Sequence, residues 1–132
     1  IYGHALLAHI AKTEGDFEKS QLHLQKRLDI IPETEKFELM EAMADLAHSY
    51  SSLGELEQAQ ALLIDSLKIA VEIDELSGIL VARWGLADLA EISDQPDEAM
   101  VQLSDIMTAF MEAGAVVPEP VRERISKLTS QQ

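Results

Sequence analysis

The spacing of apolar residues along the chain predicts helices throughout. Apolar side chains recur at intervals of three and four residues, whereas runs of β-branched residues are scarce. Glycine and proline interrupt helices, and here they stand at a few widely separated positions. The stretches between them therefore have the length of ordinary helices. The predicted helices cover residues 2–14, 16–30, 36–53, 55–73, 77–93, 96–112 and 119–129.

The predicted helices form pairs that repeat about every 40 residues. Three segments align in register: LLAHIAKTEGDFEKS from Leu6, DLAHSYSSLGELEQA from Asp45 and GLADLAEISDQPDEA from Gly85. Each contains a Leu-Ala pair, then a turn residue, then a small residue. Such a period is typical of stacked helical hairpins, because one hairpin cannot bury its apolar face alone. The three features occur at Leu7-Ala8, Leu46-Ala47 and Leu86-Ala87, at Gly15, Gly54 and Asp94, and at Ser20, Ala59 and Ala99.

At these positions the chain resembles the tetratricopeptide repeat family. The family pattern places a Leu and a Tyr on the first helix of each hairpin and an Ala-x3-Phe pair on the second. The family's Tyr is present at Tyr50, and its Trp position is filled by other residues. The long period resembles the repeats of bacterial regulators and of sensor regions attached to diguanylate cyclases. The Ala-x3-Phe pair appears as Ser20/Leu24, Ala59/Leu63 and Ala99/Leu103.

The resemblance implies an all-α fold, a right-handed superhelical α-solenoid of three antiparallel helical hairpins plus a C-terminal capping helix. We expect a single domain over residues 1–132, with a cap helix at 118–130. One face of that helix is apolar and is expected to pack, and its basic residues are expected to point elsewhere. The repeats are predicted at about 1–34, 40–74 and 80–113. The packing face of the cap carries Val121, Ile125 and Leu128, its basic residues are Arg122, Arg124 and Lys127, and the core beneath it is predicted to be Met100, Leu103, Met107, Phe110 and Met111.

The charge of the chain excludes one class of partner. Ten Lys and Arg residues stand against 24 Asp and Glu residues, a net charge of −14. Residues 54–112 carry most of the excess, with only Lys68 and Arg83 as basic residues. Because phosphate contacts need a basic surface, we expect no nucleic-acid partner. No apolar run is long enough for a membrane span and no signal peptide is apparent, so we expect a cytoplasmic protein.

The chain offers few residues for chemistry. Cysteine is absent, and no nucleophile-elbow, Walker or dinucleotide-binding motif is present. The histidines His4, His9, His23 and His48 form no pair with metal-ligand spacing on one helix, and we interpret them as groove or surface residues. We therefore predict a non-catalytic protein with no metal site and no cofactor.

The resemblance also implies where a partner would bind. In this family the first helix of each hairpin lines a concave groove. Trp84 falls on that row, and tryptophan is enriched in binding hot spots, although an alignment error of one residue would make it a core residue. The family's clamp for chaperone tails needs Asn, which this chain lacks. The predicted groove residues are Tyr2, His9, Lys12, Glu41, His48, Ser51, Trp84, Asp88 and Glu91.

These observations predict a protein–protein interaction module that serves as the regulatory or sensor part of a larger bacterial protein. Its groove would bind a peptide or helix of apolar or basic character. Two alternatives stay open. The module could self-associate as a homo-oligomer through an uncapped N-terminal face, because Ile1 begins inside the first hairpin. It could also be the small-ligand-sensing arm of a transcription activator, and an enclosed pocket around Trp84 and the histidines would favour that role.

Overall fold

The computed structural model describes residues 17–130, which form six helices and no strand. Every helix begins and ends within one residue of the position predicted from the sequence. The predicted helix over residues 2–14 lies outside the described residues. The helices are α1 (Phe17–Asp29), α2 (Lys36–Ser52), α3 (Leu56–Glu72), α4 (Leu76–Ile92), α5 (Pro96–Glu112) and α6 (Glu119–Ser130).

Helices α2 to α5 follow one unit of 20 residues, made of a 17-residue helix and a short turn. In the turn after α2, the N–H of Gly54 donates to the carbonyl of Ser51 at 3.0 Å, and the N–H of Glu55 donates to the carbonyl of Tyr50 at 2.9 Å. These two bonds satisfy the last carbonyls of the helix, and they require a left-handed residue between them. The same pair of bonds closes the other three helices. The left-handed residues are Gly54 (φ 80°), Asp74 (φ 55°), Asp94 (φ 58°) and Gly114 (φ 71°).

Burial follows the repeat that the sequence predicted. Leu46 and Leu86 are both buried, as are the alanines that follow them. The small residues Ser20, Ala59 and Ala99 are each 0% exposed, since a small side chain lets two helix backbones approach closely. Each helix packs against its neighbours in the chain, and α2 also touches α4. Over residues 17–130, the predicted all-α solenoid is confirmed.

Helix α6 covers the end of the stack. Val121 and Leu128 are buried against α5, where Leu103 and Ile106 are fully inaccessible. Met100 and Phe110 also contact this core, as predicted. The prediction is wrong for Met111, which is 64% exposed. Met111 lies about 100° around α5 from Phe110, in the last turn of the helix, and so faces away from the core.

No helix within residues 17–130 combines the length and apolar character needed to cross a membrane.

Candidate functional site

An apolar cleft of about 430 Å³ lies between α2 and α4 and reaches the chain segment that begins α6. Its width on the α2 side results from Ala44 and Ala47, whose side chains are single methyl groups. Trp84 and Val81 form the facing wall on α4, and Leu63 of α3 contributes from behind. The remaining lining residues are His48, Ser51, Leu80, Gly85, Asp88, Leu89, Pro118, Pro120 and Val121.

A second cavity of about 350 Å³ adjoins the cleft and shares Ala44 and Val81 with it. Its lining includes three carboxylates, from Glu41, Asp45 and Glu75. The two cavities together form what we call the α2–α4 groove, with the cleft as its apolar end and the second cavity as its acidic end.

One carboxylate of the acidic end has a cationic partner within the chain. Arg27 of α1 donates a hydrogen bond of 2.7 Å from Nη1 to the Oδ2 atom of Asp45. The Arg27 side chain is only 13% exposed, whereas that of Asp45 is 59% exposed. The pair therefore holds α1 against α2 while one side of the Asp45 carboxylate still faces solvent.

Close helix packing forms the floor of the acidic end. A Cβ atom placed on Gly78 of α4 would lie 2.3 Å from the Sδ atom of Met40 and 3.1 Å from the Cβ of Ala70. Any larger residue at this position would therefore push α4 away from α2 and α3. Ser66 of α3 strengthens the same region, since its hydroxyl donates a buried hydrogen bond of 2.8 Å to the carbonyl of Met40.

Four of the predicted groove residues meet at the apolar end. Trp84, Asp88, His48 and Ser51 all line the cleft, and Glu41 lies at the acidic end. Predicted residues Tyr2, His9 and Lys12 lie outside the described part of the chain.

Trp84 is half-buried and has two roles. It lines the cleft, and it also packs against the core shared by α4, α5 and α6. The two interpretations of Trp84 that the sequence left open, groove and core, therefore both describe part of its side chain.

Arg124 of α6 lies directly over Trp84, a contact that the sequence did not predict. Its guanidinium carbon is 4.5 Å from the centre of the indole ring. Its Nη2 atom lies 2.7 Å from Oδ1 of Asp88 and also bonds to Oε2 of Glu91. The Arg124 side chain is only 14% exposed. The expectation that Arg124 points away from the packing face is wrong, because a long side chain can lie along an apolar surface and place its charge some distance from its own Cα.

Among residues 17–130, no three His, Asp or Glu side chains are arranged to hold a metal ion. The polar groups around the apolar end are instead a histidine, a serine and two carboxylates that face an arginine. Such a set can donate and accept hydrogen bonds and can bind a cation.

Comparison with known proteins assigns part of the chain to a family. No curated protein matches the sequence significantly. Residues 41–70 match the sequence profile described as the tetratricopeptide repeat. The matched segment contains most of α2, the turn at Gly54 and most of α3. Residues 41–70 are therefore a tetratricopeptide repeat, the helical hairpin of protein–protein interaction modules, as the sequence pattern predicted.

Proposed function

We propose that the chain is a non-catalytic interaction module that binds a peptide or helix of a partner protein in the α2–α4 groove. The observation that carries this proposal is the apolar cleft between α2 and α4, with Trp84 in its wall. Apolar surface in a concave site gains free energy when it leaves water, and a half-buried tryptophan offers a large rigid contact area.

The acidic end of the groove specifies the partner further. Glu41 and Glu75 lie within one cavity, and Asp45 is only partly neutralised by Arg27. A partner with apolar residues at one end and a Lys or Arg at the other would match both ends of the groove. The net charge of −14 would also accelerate the approach of a basic partner, because long-range attraction raises association rates.

A second candidate function follows from the size of the cleft. Its volume of about 430 Å³ falls within the range of about 300–1,000 Å³ that is typical of small-molecule sites. A small apolar ligand that contacts Trp84 and His48 would make the module a sensor arm. The self-association alternative depends on the N-terminal face, which lies outside residues 17–130, and it stays a prediction. The regulatory role in a larger bacterial protein is likewise part of our proposal.

The groove can be tested with a filled variant and a matched control. Peptides are selected from a random display library on the immobilised protein, and their affinities are measured by calorimetry. Ala44→Trp places a bulky side chain inside the groove, whereas Ala61→Trp places the same side chain on an exposed site of α3 that lines neither cavity. We expect selected peptides to combine apolar and basic residues, to lose at least tenfold in affinity for Ala44→Trp, and to bind Ala61→Trp unchanged.

Two results would contradict the proposal. One is a selection that yields no peptide of common character, and the other is equal binding by both tryptophan variants. In either case, an apolar small molecule that quenches Trp84 fluorescence in the unmodified chain and not in Ala44→Trp would establish the sensor function instead.

A further inference from the structure

The surroundings of Arg124 amount to a binding site for a planar cation. The indole of Trp84 covers one face of the guanidinium at 4.5 Å, and the carboxylates of Asp88 and Glu91 accept bonds from Nη2. The three site residues all belong to α4, on successive turns of one helix, and Arg124 comes from α6. The site is therefore complete on α4 alone, and α6 supplies its occupant.

The chemistry of the site favours a guanidinium over an ammonium ion. A guanidinium is flat and weakly hydrated, so it can stack on an indole while its edge donates several N–H bonds. Attraction between the cation and the electron-rich ring face adds to the bonds with the carboxylates. An ammonium ion is compact and strongly hydrated, and it cannot make the stacked contact and the edge contacts in the same way.

The site opens toward the apolar end of the groove. Trp84 and Asp88 line the cleft as well as contact Arg124, so a peptide in the cleft meets both residues. The wall opposite is formed by Pro118, Pro120 and Val121, at the beginning of α6. An occupant of the groove therefore lies against the helix that carries Arg124.

We propose that Trp84, Asp88 and Glu91 form a guanidinium-binding site that Arg124 occupies in the free chain, and that an arginine of the partner takes its place on binding. This inference rests on the proposed function, because the partner reaches the site from the groove. Helix α6 remains packed during the exchange through Val121 and Leu128, which are buried independently of Arg124. The exchange moves one side chain and leaves the helix in place.

The site can be tested with a small probe that carries one guanidinium, N-acetyl-argininamide. Trp84 is the only tryptophan, so its emission reports on this site directly. Arg124→Met removes the resident guanidinium and keeps an unbranched apolar side chain over the indole. We expect Arg124→Met to bind the probe with a midpoint at least tenfold lower than that of the unmodified chain. Arg122→Met, at an exposed position of the same helix, should behave as the unmodified chain does.

Specificity is tested with N-acetyl-lysinamide and with a carboxylate variant. The lysine probe should bind Arg124→Met at least tenfold more weakly than the arginine probe. Adding Asp88→Asn to Arg124→Met should remove the response to the arginine probe. A circular dichroism spectrum of each variant shows whether α6 is retained. If α6 is lost in Arg124→Met, the Nε–Hε resonance of Arg124 in the unmodified chain decides, since exchange must shift it as the probe is added.

The inference is overturned if Arg124→Met binds the arginine probe no better than the unmodified chain does, or if the lysine probe binds equally well. With α6 lost in that variant, an Arg124 resonance that stays unmoved overturns it as well. These outcomes are separable from those of the proposed function. Selected peptides that bind the groove without shifting the Arg124 resonance would leave the function standing and reject the exchange. A guanidinium site that binds its probe in a chain with no groove-binding peptide would do the reverse.

Discussion

The α2–α3 and α4–α5 hairpins are one unit built twice, 40 residues apart. Both bury a Leu-Ala pair on the first helix, at Leu46 and Leu86 and the residues that follow. Both turn through a left-handed residue, Gly54 in the first hairpin and Asp94 in the second. The positions that determine the backbone are thus nearly the same in the two hairpins.

The two hairpins differ where they face the groove. Ala44 of α2 corresponds to Trp84 of α4, and His48 corresponds to Asp88. The second hairpin is also covered by α6, which places Arg124 on Trp84. Packing between the helices does not depend on these groove positions, so they are free to differ and can determine what the module binds.

The largest expected effect comes from removing α6, which covers only the second hairpin. Deleting residues 118–132 removes the burial of Val121 and Leu128, which we expect to lower the free energy of unfolding by about 3–6 kcal/mol. The exposed face of α5 around Leu103 should also cause association. Urea unfolding and light scattering measure the two effects. Amide hydrogen exchange should increase in α4–α5 far more than in α2–α3, and a monomeric truncated chain with an unchanged midpoint would show that α6 is not a cap.

Trp84→Ala makes α4 resemble α2, which has Ala44 at the corresponding position. A fully buried tryptophan costs about 3–5 kcal/mol when it is truncated, and because Trp84 is half-buried we expect a loss of about 2 kcal/mol. Val81→Ala, at an exposed position one turn earlier, should cost less than about 0.5 kcal/mol. Denaturant midpoints give both values. Acrylamide should quench Trp84 partially in the unmodified chain, and complete shielding would contradict its place in the cleft wall.

Arg124→Met tests the contact that distinguishes the second hairpin from the first. Stacking on an indole and pairing with two partly exposed carboxylates should together stabilise the fold by about 1 kcal/mol. Salt screens this contribution, so the stability difference between Arg124→Met and the unmodified chain should shrink between 0.05 M and about 1 M sodium chloride. Arg122→Met should show no comparable difference. A loss that does not depend on salt would mean that Arg124 acts only through its packed aliphatic stem.

The smallest expected effect concerns the turns. Asp94 has a φ of 58°, a conformation that glycine adopts without steric cost, so Asp94→Gly should stabilise the chain by about 0.5 kcal/mol. The reverse change, Gly54→Asp in the first hairpin, should destabilise it by a similar amount. Asp94→Asn separates backbone strain from charge, because it removes the carboxylate near a helix C-terminus and keeps a residue that tolerates this conformation. If Asp94→Asn stabilises as much as Asp94→Gly, charge and not strain explains the effect.

The sequence predicted the helices and the buried face because both depend on local spacing. Leu46 and Leu86 recur with the period of the repeat, and the turn at Asp94 could be placed by its register with Gly54 although the residue types differ. The 20-residue spacing was also present in the sequence, at Asp74 and Gly114, but a search for whole hairpins finds only every second turn.

The candidate site was only partly predictable. Repeat register places His48, Trp84 and Asp88 on one row, and they do line one cleft. Register gives no information on how far a flexible side chain extends, so the reach of Arg124 back to α4 could not be read from its helical position. The opening of the cleft depends on how far apart two helices pack, which hydrophobic periodicity does not specify either.

The chain-neighbour packing of the helices has a consequence for how the module folds. Apart from the contact between α2 and α4, helices touch only those next to them in sequence, so most native contacts need only short loops to close. Such chains fold fast and can begin folding at any hairpin, and their ends open before their centre. A partner lodged between α2 and α4 and against the start of α6 would tie together segments that are far apart in the chain. Binding would then convert a stack of hairpins that open one by one into a unit that opens all at once.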